Sequence, residues 1–425
     1  MKIAIVGAGI AGNVAAYHLC RNHDITMFEA ADHVGGHAHT HSIEQSGRHL
    51  FVDTGFIVFN ERTYPQFTSL LGELGVDTQE SAMRFSVRDE SSGLEYNGTS
   101  LNGLFSQRSN LLRPSFLGMV RDILRFNHEA PALLRSPGAE IGLGSFLQRG
   151  RYGRAFVDNY IVPMGAAIWS TNPETMLGFP ARFFIRFLQN HGMLSINNRP
   201  VWRVIRGGSA RYVGKLTASF RDRIRLNSPV EKVLRHTGGV SIKARARAEE
   251  RFDAVFIACH SDQALKLLPD ASPLEREVLG AIPYQENQAI LHTDTRMLPR
   301  NKIAWAAWNY HRPKQTGGPV ALTYNMNILQ GLNAPEPLLV TLNREDAIEP
   351  AKIIKRLTYH HPLFTPAGAA LQSRKAEINR GRRTYFCGAY WRNGFHEDGV
   401  VSALEALNHF RAEHASIELP LRQSA

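Results

Sequence analysis

The chain has 425 residues, 43% hydrophobic and 20% charged, which is too long for one small core and too apolar for a disordered chain. No run approaches the ~20 apolar residues of a membrane-spanning helix, and three scattered cysteines (Cys20, Cys259, Cys387) are too few for a disulfide framework, so a reducing, cytoplasmic setting is expected. An excess of 49 basic over 38 acidic residues leaves +11, which predicts attraction to something anionic: nucleic acid, lipid or a charged metabolite.

The chain opens on a short apolar run, Ile3-Ala4-Ile5-Val6, followed at once by Gly7-Ala8-Gly9-Ile10-Ala11-Gly12. Val14, Ala15, Ala16 and Leu19 then give a helical stripe. The pattern predicts strand, glycine turn and helix. Gly7 permits the turn, Gly9 lets a pyrophosphate approach the backbone, and Gly12 lets helix and strand pack closely. The helix start, with Ile10 and Ala11, offers free N–H groups to phosphate. A second strand, Asp24-Ile25-Thr26-Met27-Phe28, ends at Glu29, placed to bond the hydroxyls of an adenosine ribose. This spacing predicts a dinucleotide site.

Next come Ala30, Gly35, Gly36, His37 and Thr40. Here the sequence resembles the flavin amine oxidase and phytoene desaturase superfamily, whose members carry paired glycines followed by Arg and then Ser or Thr. His37 stands where the superfamily has Arg, and the spacing to Thr40 is longer by one. An imidazole is a weaker phosphate partner than a guanidinium. Val52-Asp53-Thr54-Gly55-Phe56 resembles the segment that runs beside the flavin, and Arg206-Gly207-Gly208-Ser209 resembles the return into the FAD domain. Ile224 to Val233 resembles the strand whose Val backbone contacts adenine, which carries that contact to Val230. Asp253 to Cys259 resembles the strand that follows. Thr384 to Gly388, then Gly394 to Val400, resembles the strand and helix that end at the flavin ring, placing Gly388, Gly399 and Val400 there. The helix is expected from Val400 to about Phe410.

The resemblance implies a Rossmann-like FAD-binding domain of the glutathione-reductase type, built from residues 1–80, 205–268 and 370–425. An amine-oxidase-like α+β substrate domain of residues 81–204 and 269–369 is inserted into it. Non-covalent FAD is implied, because Cys387 matches the attachment pattern poorly. A narrower resemblance, carried by Pro163 to Ser170, Asn190 to Leu194, Thr323 to Asn327 and Gly394 to Gly399, is to a bacterial group of FAD-binding oxidoreductases. That group is similar to the flavoprotein half of plant cyclopropane fatty acid synthases. It implies a fatty-acyl substrate and an acyl-modifying methyltransferase as partner. The first insert reads as helical, with stripes at Leu112, Phe116, Val120, Ile123 and at Phe183, Phe184, Phe187. The second reads as strands over 288–292, 303–308, 320–324 and 338–342.

His33, His37, His39 and His41 alternate, but no acid or cysteine completes a shell, so no metal is expected. Near the expected flavin-facing helix, His396, Glu397 and Asp398 are candidates to take a proton, although Asp398 equally suits a helix cap. Tyr324 is a candidate to line the pocket.

Three function classes follow: oxidation or desaturation of a phospholipid acyl chain, oxidation of a soluble amine with peroxide release, and a flavin-bearing scaffold for a methyltransferase. No helix-turn-helix or aromatic-basic stripe suggests nucleic acid. Residues 181–225 carry ten basic residues, Arg182 and Arg186 among them, against the single acid Asp222. Beside the Phe183 stripe, this predicts peripheral contact with the inner membrane surface.

Overall fold

Ile3, Ala4 and Ile5 are fully buried, as both faces of a central parallel strand require. The computed structural model describes residues 1–98, 100–195, 199–314 and 321–414. Lys2–Val6 pairs in parallel with Asp24–Phe28 on one side and Ala254–Ile257 on the other. Ile224–Arg225 and Thr384–Phe386 complete a five-stranded parallel sheet at its two edges. The helix Ile10–Leu19 covers this sheet beside the C-terminal helix His396–His414. The two helices approach closely because Gly399 faces Ile10: a Cβ there would meet Ile10 Cγ2 at 2.6 Å. The fold is thus mixed α/β.

A second, seven-stranded sheet runs in the order Ile353–Pro362, Tyr284–His292, Leu339–Leu342, Ala321–Asn325, Trp308–Arg312, Phe85–Asp89 and Leu94–Asn97. It is antiparallel except where Trp308–Arg312 meets Phe85–Asp89. Helices Pro114–Glu129, Val162–Trp169 and Ala181–Asn190 pack with this sheet in one apolar core. Smaller sheets, Thr40–Gln45 with Arg48–Asp53 and Val58–Asn60 with Trp202–Ile205 and Thr78–Glu80, accompany the two large ones.

Several expectations need correction. Ile224 to Val233 is not one strand: after Arg225 the chain turns at Asn227 (φ 50°), and Val230–His236 joins a separate three-stranded sheet. Ile303 to Trp308 is not a strand throughout. Asn301 accepts a hydrogen bond from the Ile303 N–H at 3.0 Å and closes a tight turn, so the strand begins only at Trp308. Val320, placed in the next expected strand, lies outside the described residues.

The C-terminal helix begins at His396, four residues before Val400. The Phe183 stripe does not face outward either. Phe184 and Phe187 are buried and Phe183 half-buried, and all three pack against Trp169. Arg182 donates to the carbonyls of Leu133 and Gly138. The lipid-facing role expected of this apolar stripe is therefore withdrawn: an amphipathic period marks a face, and here that face is core.

Candidate functional site

A cavity of about 700 Å3 runs from the glycine turn into the space between the seven-stranded sheet and the helices of the first insert. Gly7, Gly9, Ile10, Ala11, Glu29, Ala30, Gly35, Gly36 and His37 line one end. Val230 lines it beside Pro229. Thr54, Gly55, Phe56, Gly388 and Tyr324 line the middle and far wall. Gly12 does not reach the cavity: a Cβ there would stand 1.9 Å from the Gly7 oxygen, so this glycine serves strand–helix packing. Gly399 and Val400 do not line the cavity and lie in the contact between helices, one turn behind the lining residue His396.

The turn is built to receive a phosphate. A Cβ on Gly9 would meet nothing within 4 Å, so open space lies in front of the helix N-terminus. Gly36, at φ +57°, stacks its Cα behind Gly9, where a Cβ would come within 3.1 Å of the Gly9 Cα. Glu29 is fixed by two backbone donors, Ala8 N–H at 2.6 Å and Ala31 N–H at 2.9 Å.

His37 sits among His361, His260 and Tyr359, with ring centroids 5.5, 6.4 and 5.1 Å away. Burial, then the neighbouring histidines, holds its pKa well below the ordinary value. Its Nε2 is buried without a protein partner among the described residues. A neutral imidazole nitrogen of this kind donates a hydrogen bond to a phosphate oxygen without supplying charge. These residues fit a flavin dinucleotide. Glu29 would hold the ribose, the Gly9 turn, Gly36 and His37 the diphosphate, and Val230 the adenine.

Asp53 anchors the wall behind Thr54, Gly55 and Phe56. Its buried carboxylate accepts from Thr40 Oγ1 (2.5 Å), Ser209 N–H (2.9 Å), Ser209 Oγ (2.7 Å) and Gln330 Nε2 (2.9 Å). Burial raises its pKa to about 6 against those bonds. His33 stacks on His39 at 4.0 Å, and His41 lies tilted against His39 at 4.1 Å. Among the described residues no group of three His, Cys, Asp or Glu is placed to hold a metal.

The acidic pair after His396 does other work. Glu397 accepts from the N–H groups of Gln66 (3.1 Å) and Phe67 (2.9 Å), capping the helix Pro65–Glu73. Asp398 accepts from Asn393 N–H (3.1 Å) and Phe395 N–H (2.9 Å), closing the loop into its own helix. Neither lines the cavity, so the catalytic assignment of Glu397 and Asp398 is replaced by capping. Glu397→Ala is expected to cost about 2 kcal/mol of stability in denaturant titration, with flavin content unchanged.

His396 does line the cavity, stacked on Phe56 at 3.7 Å, and its Nε2 lies 2.5 Å from Tyr212 Oη. Burial lowers its pKa to about 3. It is a neutral wall residue rather than a group that titrates near neutral pH. Tyr324 packs edge-on against Trp308 at 5.1 Å, and burial raises its phenol pKa, so it stays protonated.

Two groups escaped the sequence reading. His191 lines the cavity, stacked on Phe187 at 3.9 Å, with Nδ1 2.9 Å from the Phe187 carbonyl. His260, His360 and His361 line it near His37. Cys259 is a lining thiol whose pKa burial pushes up to about 12, and burial raises that of Cys387 as well. Neutral thiols suit non-covalent cofactor binding.

A family model described as flavin containing amine oxidoreductase matches residues 10–325. The chain belongs to this flavin-containing amine oxidoreductase family. Its cofactor is FAD. A Mycobacterium tuberculosis protein named "Putative flavin-containing monoamine oxidase AofH" is 25% identical over 289 residues, covering 64% of this chain and 60% of that protein. The chain thus spans about 60% of the length of that relative. Among solved structures, cyclohexylamine oxidase from Brevibacterium oxydans is similar, with a TM-score of 0.68, 15% identity and coverage of 97% of this chain and 99% of that one. A structure described as a CLA-producing fatty acid isomerase from P. acnes matches with a TM-score of 0.66, 18% identity and coverage of 96% and 98%. At such identities these two likenesses concern the amine oxidoreductase fold alone. Among the described residues, no helix is long and apolar enough to cross a membrane.

Proposed function

We propose that this amine oxidoreductase family member oxidises or desaturates a fatty-acyl chain of a phospholipid. The supporting observation is the cavity wall beyond the dinucleotide turn. It is made of Met83, Ile168, Trp169, Phe187, Trp202 and Phe395, with further apolar neighbours. The sole carboxylate among the lining residues is Glu29, at the nucleotide end. A cationic amine entering this space would lose hydration without gaining a counter-charge, whereas an apolar chain gains by burial. The motifs resembling the cyclopropane fatty acid synthase flavoprotein favour a methylated or unsaturated chain, and a methyltransferase as the enzyme that supplies it.

Bound FAD supplies the hydride acceptor. The remaining proton needs a base, and His191 is suited to that task. A carbonyl oxygen only accepts, so His191 Nδ1 carries the hydrogen bonded to Phe187, and Nε2 presents a bare lone pair. Burial lowers the His191 pKa to about 4, so the lone pair is free at neutral pH. The aromatic walls of Trp169, Phe187 and Phe395 exclude water from this end. Activity is expected to fall as pH drops through about 4, when the imidazole protonates. His191→Phe keeps the ring stack, and should lower kcat about 100-fold and abolish that acid limb.

A second reading, oxidation of a soluble amine, is favoured by the family itself and by Tyr390, whose ring lines the cavity while its neighbour Trp391 packs in the core behind it. Anaerobic mixing separates the two. Bleaching of the flavin absorbance by phospholipids with unsaturated or methyl-branched chains is expected. Bleaching by polyamines or aromatic amines, with none by any lipid, would replace the acyl reading with the amine one.

A further inference from the structure

Large apolar side chains on the surface are unevenly placed. Among the described residues nine are exposed, and six of them belong to one region: Leu101 (78%), Leu111 (50%), Leu112 (87%), Leu117 (45%), Leu124 (51%) and Ile303 (48%). The region is held together locally. Arg108 donates to Asn102 Oδ1 (2.7 Å) and to the Phe105 carbonyl (2.9 Å), tying the turn of Leu101 to the turn of Leu111 and Leu112. Asn301 Nδ2 donates to the Ser106 carbonyl at 2.8 Å, bringing the Lys302–Ala304 turn beside them. On the helix Pro114–Glu129, Leu117, Arg121 and Leu124 follow at spacings of four and three and share one outward face. Phe116, Met119, Asp122 and Phe126 are buried on the other.

The charge on this region is predominantly positive, with Glu129 only at the far end of the helix. Residues 100–128 contain Arg108, Arg113, Arg121 and Arg125 and a single acid, Asp122. That acid is 3% exposed, accepts from Gly153 N–H at 2.7 Å and pairs with Arg125 at 3.4 Å and Arg121 at 3.7 Å, which leaves Arg108 and Arg113 without an acid in this stretch. Lys302 adds another exposed cation. Single exposed leucines need no explanation, but a clustered set ringed by arginines does.

We propose that the face formed by residues 101–124 and the Lys302–Ala304 turn docks on the surface of an anionic lipid bilayer. The leucines would enter the acyl boundary while Arg108, Arg113, Arg121 and Lys302 meet the headgroups. Charge complementarity selects this occupant. A second copy of the chain would bring arginine against arginine across a two-fold contact. The proposal stands apart from the substrate reading, because docking requires no turnover.

Flotation of the full-length holoprotein tests it. Vesicles of phosphatidylglycerol mixed with phosphatidylcholine should carry the protein upward, phosphatidylcholine alone should not, and salt should release it. Arg113→Glu/Arg121→Glu should weaken partitioning about 100-fold. Leu112→Ser/Leu124→Ser should weaken it at least ~10-fold with flavin content and unfolding midpoint unchanged, since both side chains are on the surface. Arg182→Glu/Arg186→Glu should have a far smaller effect. Equal flotation with neutral and anionic vesicles, or wild-type flotation of both face variants, overturns the proposal. So does a dimer in sedimentation that Leu112→Ser/Leu124→Ser dissociates, which would assign the face to a second copy. Flotation without bleaching by any lipid sinks the acyl substrate and leaves the docking face standing. Bleaching by detergent-dispersed lipid without flotation does the reverse.

Discussion

Gly9→Val should yield a folded protein without flavin, whereas Gly12→Val should yield neither. The two glycines are three residues apart in one turn, yet their surroundings are opposite. Gly9 has backbone angles of φ −73° and ψ −176°, which any residue adopts, and open cavity where its side chain would stand. A valine there fills the space meant for the diphosphate and leaves the packing of the apoprotein intact. FAD affinity should fall about 100-fold or more, read by titrating apoprotein with FAD and following fluorescence. Gly12 faces the Gly7 carbonyl oxygen at 1.9 Å and Ala258 Cβ at 3.2 Å from where its Cβ would be. A valine must push the helix Ile10–Leu19 off the sheet, a cost of about 3 kcal/mol or more. Loss of the unfolding midpoint, not only of colour, is the expected result for Gly12→Val. Equal stability of the two variants would show that the helix–strand contact at Gly12 tolerates a side chain.

The contrast also explains how far the sequence could be read. Gly7 to Gly12 and Glu29 were legible because turn chemistry is local: each sits at a fixed offset from a strand end. Gly36 and Val230 came instead from the family resemblance, and Val230 opens a strand of a separate sheet. The acids after His396 were not. Three adjacent residues read as one cluster, but at 100° per residue on a helix they point three ways. Only His396 reaches the cavity, while Glu397 turns to the helix at Pro65 and Asp398 to the loop at Phe395. His191, His260 and His361 come from three distant segments with no shared spacing, so only folding brings them to one cavity. The Phe183 stripe was legible as amphipathic but not as inward-facing. That depended on Trp169, held from another helix by its bond to the Asn393 carbonyl at 3.3 Å.

Arg235→Ala should destabilise the protein by about 3–5 kcal/mol and release flavin at lower denaturant concentrations than wild type. Arg235 lies on the strand Val230–His236, whose first residue lines the nucleotide end of the cavity. Its side chain is 4% exposed, and it bonds Glu275 Oε1 at 2.5 Å and Asp270 Oδ1 at 2.8 Å. Arg382, just before the edge strand Thr384–Phe386, bonds the same two acids at 3.0 Å each. Glu275 also accepts from Ser272 N–H at 2.7 Å as part of a capping box. Four charges therefore clamp the small sheet to an edge of the main one. Removing Arg235 leaves the 2%-exposed carboxylate of Glu275 with Arg382 as its one charged partner among the described residues, beside the Ser272 N–H. Burial by itself would raise both carboxyls, but the bonds from Arg235 hold Asp270 and Glu275 below the ordinary carboxylate range. Their stabilisation is thus present above the unfolded carboxylate pKa and lost as pH falls through the depressed folded values. Wild type should lose stability steeply on acidification and Arg235→Ala less so, the two curves converging at low pH. Parallel curves would mean that the clamp contributes packing rather than charge.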